Sequence, residues 1–148
     1  MDEIDPEIAA LERQLADTRA RAEAKEAERA RARRKEELRR ELAEAALDEL
    51  KQRLIDEHGG EGRDIAFYTT PGGDLIALRR GERAPFQQWS RSKKTDVDDE
   101  KLVRSCRVHP ATDAELRDLL GVYQGALLPL TMMAIELYGF KLREDRGK

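Results

Sequence analysis

Leucine and isoleucine gather at the two ends of the first 58 residues and are missing from the middle. Ile4, Ile8, Leu11 and Leu15 stand at one end, and Leu38, Leu42, Leu47, Leu50, Leu54 and Ile55 at the other. Between Leu15 and Leu38 the apolar side chains are all alanines. Pro6 suits a first helical position, and no glycine follows until the Gly59-Gly60 pair, a preferred helix terminator. The pattern predicts one helix from Asp5 to His58. At 1.5 Å per residue it would reach about 80 Å if straight. Ile4, Ile8, Leu11, Leu15, Thr18 and Ala22 keep a 4-3 spacing, the seam of a coiled coil, until Lys25 and Arg29 break it. The stretch from Asp17 to Glu37 reads as a charged spacer. Its alanines favour helix, and pairs such as Glu36 with Arg40 add a few tenths of a kcal/mol at most. Leu38 to Ile55 forms a broader stripe, suited to packing on a folded body.

From Arg63 the period changes to two. Asp64–Thr70 and Leu75–Arg79 flank Pro71-Gly72-Gly73-Asp74, a β-hairpin with proline and glycine in its turn. Ala84–Trp89 reads as a short helix entered through Pro85. Asp96 is placed to cap a helix running through Arg107, with Leu102, Val103 and Cys106 on one face. Val108-His109-Pro110 imposes an extended step. Thr112 and Glu115 have the spacing of a capping box that opens a helix carrying Leu116, Leu119 and Leu120. A last helix covers roughly Leu127–Tyr138. The fold expected is α+β and mainly α. A long coiled-coil-like helix, residues 1–58, precedes a small domain, residues 59–148, of one hairpin and three to four short helices.

Charged residues make up 40% of the chain and aromatics 5%, which suits long solvated helices and a modest core. The net charge of -3 gives no bulk attraction to nucleic acid, and the basic run Arg29–Lys35 is diluted by glutamates and lacks aromatics. The acidic start, without a basic segment and an apolar run, predicts no signal peptide. The apolar stretch Ala126–Ile135 is too short to cross a bilayer. A single cysteine, Cys106, allows no intrachain disulfide and fits a reducing compartment.

Candidate chemistry is sparse. His58 and His109 are separated by 50 intervening residues without partners at ligand spacing, so no metal or cofactor is expected. His58 fits a helix C-terminus. Cys106 lies on an apolar face and reads as a buried thiol. His109, three residues on, is turned away by the step into Pro110, which argues against a nucleophile-base pair. The glycines of the hairpin turn lack the spacing of a phosphate loop. Asp98, Asp99 and Glu100 suit a first helical turn. What remains are contact residues: Ile4, Ile8, Leu11 and Leu15 on the seam, the aromatics Phe86, Trp89 and Phe140, and the soft pair Met132 and Met133.

The order of landmarks from Leu75 to Phe140 adds a family expectation. A strand ending Leu78-Arg79-Arg80 is followed by a proline-entered helix with Phe86 and Trp89. Then come Leu102-Val103-Arg104-Ser105-Cys106, the Val108-His109-Pro110 break, the helix Ala114–Leu120, and a closing helix ending Gly139-Phe140. This C-terminal half resembles the small tail assembly chaperones of tailed bacteriophages and phage-like particles. The resemblance implies a non-enzymatic, self-associating helper in the cytoplasm of a bacterial host, bound to a tape-measure or tail tube protein. The long N-terminal helix is not a feature of compact members. It keeps open a coiled-coil structural or adaptor protein, including a component of a phage-like particle. An enzyme built on Cys106 is the least supported alternative.

Overall fold

The computed structural model describes residues 5–59 and 64–139, and the chain is mainly helical with a small antiparallel sheet. Helix α1 runs Pro6–His58, as the absence of glycine predicts. The hairpin follows as β1, Ile65–Thr69, and β2, Leu75–Arg79. Then come α2, Arg83–Arg91, and α3, Asp96–Ser105, with a short β3 at Arg107–His109. Helix α4, Asp113–Val122, leads through a 3₁₀ turn at Gln124–Ala126 into α5, Leu127–Leu137.

Two compact units divide within α1, after Ala46. The first holds residues 1–46. Its described side chains are exposed almost throughout, and Leu38 and Leu42 are among them. The broader leucine stripe therefore packs only from Leu47 onward.

The second unit, residues 47–148, is organised by β2, the middle strand in the order β1-β2-β3. Side chains alternate between the faces of a strand, so an unbroken apolar run such as Leu75-Ile76-Ala77-Leu78 suits a strand covered on both sides. Leu75 and Ala77 pack with Leu54, Leu47 and Leu50 from the last turns of α1, joined by Ile65, Phe67 and Val108. Ile76 and Leu78 face the larger core, where Leu102, Val103 and Cys106 of the α3 end meet Leu116, Leu130, Ala134 and Ile135. Arg79 joins the two parts of this unit: its guanidinium donates to the His58 carbonyl at 3.1 Å. The hairpin turn closes through Gly73 N–H to the Thr70 carbonyl at 2.9 Å, with Gly73 at φ +90°. There glycine avoids the steric penalty of a Cβ.

Three local expectations are corrected. The α3 cap is Thr95, not Asp96. Thr95 Oγ1 accepts from Asp98 N–H, and the Asp98 carboxylate accepts from Thr95 N–H at 3.1 Å, a full reciprocal box. Helix α3 stops at Ser105 rather than Arg107 because residues 107–109 pair antiparallel with β2. The extended step is thus a third strand, too short to show an alternating pattern of its own. At α4, Thr112 accepts from Glu115 N–H at 3.2 Å, and the return bond from Glu115 is not formed.

Candidate interaction surfaces

In the first unit the seam lies open. Ile8, Leu11 and Leu15 are 53%, 58% and 49% exposed on a helix whose other residues, after Pro6, are alanine or polar through to Glu37. Such side chains, one turn apart on one face, form an apolar strip with charge around it. Ile4 would extend the strip but falls outside the described residues, as does Phe140.

In the second unit, two of the expected contact aromatics come together with a third. The Phe86 ring stacks on Tyr138, centroids 4.5 Å apart, and on Trp89 at 5.9 Å. Helix α2 places Phe86 and Trp89 three residues apart, hence on one side, and the end of α5 brings Tyr138 beneath them. Trp89 is tied down. Its indole N–H donates to Asp99 Oδ1 at 2.8 Å, and Lys94 Nζ sits 5.1 Å from the ring centre. All three rings are partly buried and pack against the larger core, so they are core margin and surface at once. Met132 and Met133 are likewise half-buried, with Met133 against that core.

Tyr138 carries no local signature, since it caps the end of α5 and its partners are distant in sequence. Its hydroxyl donates to the Glu82 carbonyl at 2.7 Å, across 56 residues of chain. Burial, with a further contribution from neighbouring Cys106, pushes the phenol up to about 12. It therefore stays protonated and remains a donor at neutral pH. Beside it a cleft of about 510 Å³ is lined by Arg80, Arg83, Phe86, Gln87, Ser90 and Tyr138. Gly81 also lines it. A Cβ there would stand 2.6 Å from the Ser105 carbonyl oxygen, so a side chain would force apart the β2–α2 link and the end of α3.

The remaining candidate chemistry stays dispersed. Cys106 is buried, and its sulfur lies 3.8 Å from Ser105 Oγ rather than against His109. Desolvation lowers the His109 pKa, Arg53 adding to the effect and Glu115 opposing it. Among the described residues no group of three or more histidine, cysteine or acidic side chains could hold a metal ion. No single described helix is long and apolar enough to cross a membrane. Asp98 is held below the usual carboxylate range by its bonds to Thr95, a structural role at the α3 cap. Comparison with family models, curated proteins and solved structures finds no match to this chain.

Proposed function

We propose that this protein is a non-enzymatic assembly factor that uses the N-terminal part of α1 to join a second copy of itself and its folded unit to hold a protein partner. The observation that carries this reading is the open seam Ile8-Leu11-Leu15, three large apolar side chains about half exposed on a helix that continues as a charged segment. Monomeric proteins carry single exposed apolar residues freely, but a strip at 4-3 spacing is what helix pairing uses.

With Ile8 and Leu15 at core positions a and Leu11 at d, a parallel second copy would set Glu7 against Glu12 within the seam, a repulsive pair, and the seam ends at Ala22 because Lys25 and Arg29 take the next core positions. Pairing is accordingly modest. Fully burying a leucine or isoleucine yields about 1.5–3 kcal/mol, so six half-exposed side chains supply about 5–9 kcal/mol. Association itself costs about 4–15 kcal/mol. The balance describes a reversible contact, as an assembly factor needs, rather than a permanent dimer.

The resemblance of residues 75–140 to tail assembly chaperones supplies the partner class: a tape-measure or tail tube protein of a phage or phage-like particle. A coiled-coil structural or adaptor protein is the second reading, and the seam favours it equally. Co-expression separates them. A tagged full chain is produced together with any tape-measure or tail tube protein found encoded beside its gene. The chaperone reading expects one of these to be retained in a soluble complex. Retention of neither, by a chain that still self-associates, leaves the adaptor reading.

A further inference from the structure

The Arg80–Arg83 cleft is charged in one sense only. Its lining holds two arginines and no acidic side chain, and neither arginine makes an ion pair among the described residues. This sets Arg80 apart from its neighbour Arg79, whose guanidinium is committed to the His58 carbonyl. Glu82 lies between the two arginines in sequence, yet it contributes its backbone carbonyl to Tyr138 and no side chain to the lining.

Arg83 also stands in an electrostatically wrong place. It opens α2, whose first turn contains no acid and whose cap position, Glu82, makes no side-chain hydrogen bond to the helix. A helix N-terminus carries partial positive charge and free N–H groups, so a cation there is disfavoured and an anion favoured. An external carboxylate in the cleft would answer the unpaired arginines, Arg83 at the helix start among them. Guanidinium and carboxylate match as parallel hydrogen-bond pairs, stronger than bonds between neutral groups.

The rest of the lining specifies more than charge. The stacked Phe86 and Tyr138 rings give an apolar wall beside the arginines. The Ser90 hydroxyl is already bonded to the Phe86 and Gln87 carbonyls, whereas Gln87 is exposed and presents an amide able to meet a peptide backbone. The volume of about 510 Å³ accommodates one large side chain with its flanking peptide groups. We infer that this cleft is a docking site for an acidic segment of a partner protein, one carrying an aromatic or large apolar residue between its carboxylates. The inference goes beyond the helix-pairing reading and does not require it, because every lining residue belongs to the second unit.

The test is fluorescence anisotropy of the full-length chain with a labelled Glu-Glu-Phe-Glu-Glu peptide at low ionic strength. Saturable binding in the micromolar to low-millimolar range is expected. Arg80→Ala with Arg83→Ala should weaken it at least about tenfold, since two charge-assisted contacts are lost and each 1.4 kcal/mol is a factor of ten. Replacing the peptide's phenylalanine by glycine should also weaken it. Both arginines are exposed, so the fold should survive, and the near-UV signal of Trp89 and Tyr138 checks that. A stronger variant, Arg80→Glu with Arg83→Glu, should transfer preference to Lys-Lys-Phe-Lys-Lys. Equal binding of the acidic and basic peptides by the unaltered chain overturns the inference. So does an unchanged affinity in the double alanine variant, or tighter binding of a single-stranded oligonucleotide or of inorganic phosphate. Repeating the titration in Leu11→Ala with Leu15→Ala separates this site from the helix contact: binding should persist when self-association is gone.

Discussion

Leu11→Ala combined with Leu15→Ala removes the centre of the seam without touching anything else the structure shows. Both side chains are about half exposed, 58% and 49%, so the isolated chain loses little on truncation. Alanine is the best helix former, and the exchange slightly raises intrinsic helicity. The paired state loses much more. Each leucine forgoes about 1 kcal/mol, roughly half of a full leucine burial, and four truncated side chains per dimer come to about 4 kcal/mol. At 1.4 kcal/mol per factor of ten, this weakens self-association about a thousandfold. Sedimentation equilibrium over a wide concentration range measures it directly. The parent chain should show a reversible monomer–dimer equilibrium, and the variant should remain monomeric. Far-UV circular dichroism should show the helix retained in the associated parent, and the melting temperature of the parent's helical signal should rise with concentration. Arg13→Ala, on the outer face of the same helix, is the control and should change nothing. A parent chain that stays monomeric at every concentration refutes the reasoning, as does a double variant that associates as tightly as the parent.

Other outcomes test the second unit. Leu54 is buried among Leu75 and Ala77, so Leu54→Ala should cost about 2–5 kcal/mol in a denaturant melt, while the exposed Leu42→Ala should cost almost nothing. Two glycine replacements should act in opposite directions. Gly81→Ala meets the Ser105 carbonyl at 2.6 Å and should destabilise by about 1–3 kcal/mol, whereas Gly121→Ala enters open space within α4 and should stabilise by about 0.5–1 kcal/mol. His109 titrates below its ordinary 6.5 in the folded chain. Its contribution to stability is therefore complete above pH 6.5 and falls away as pH drops through the folded value, because the unfolded chain takes the proton first. His109→Gln should flatten that part of the stability–pH curve, and an unchanged slope would show that the carboxylates alone produce it. Tyr138 acts at the alkaline end. Its pKa is raised to about 12, so the stabilisation present below pH 10 should be lost as pH rises towards 12, and Tyr138→Phe should remove that dependence.

Local rules carried most of the architecture. The absence of glycine between Pro6 and Gly59, the period-two runs around Pro71-Gly72-Gly73-Asp74, and apolar residues at helical spacing each act over a few residues, so a linear reading recovers them. The fully apolar run Leu75-Ile76-Ala77-Leu78 even hints that β2 is covered on both faces. Misplaced details involve competition between nearby groups. Thr95 takes the cap from Asp96 because Asp98 can return its bond, and strand pairing with β2 ends α3 before Arg107.

The sequence by itself determined the long helix, its charged middle and its open seam, since an amphipathic strip is a property of spacing alone. Tertiary structure decided where the leucine stripe meets a core, at Leu47 rather than Leu38, because burial depends on where the sheet lies. It also decided which cations remain unpaired. Arg79 and Arg80 are adjacent and identical in type, yet Arg79 is the last residue of β2 and Arg80 lies past the strand's end. One meets the end of α1, while the other lines a cleft with Phe86 and Tyr138 that exists only because α5 returns beneath α2. Contacts across 56 residues of chain, such as Tyr138 to Glu82, have no local signature, and the candidate docking site is built from them.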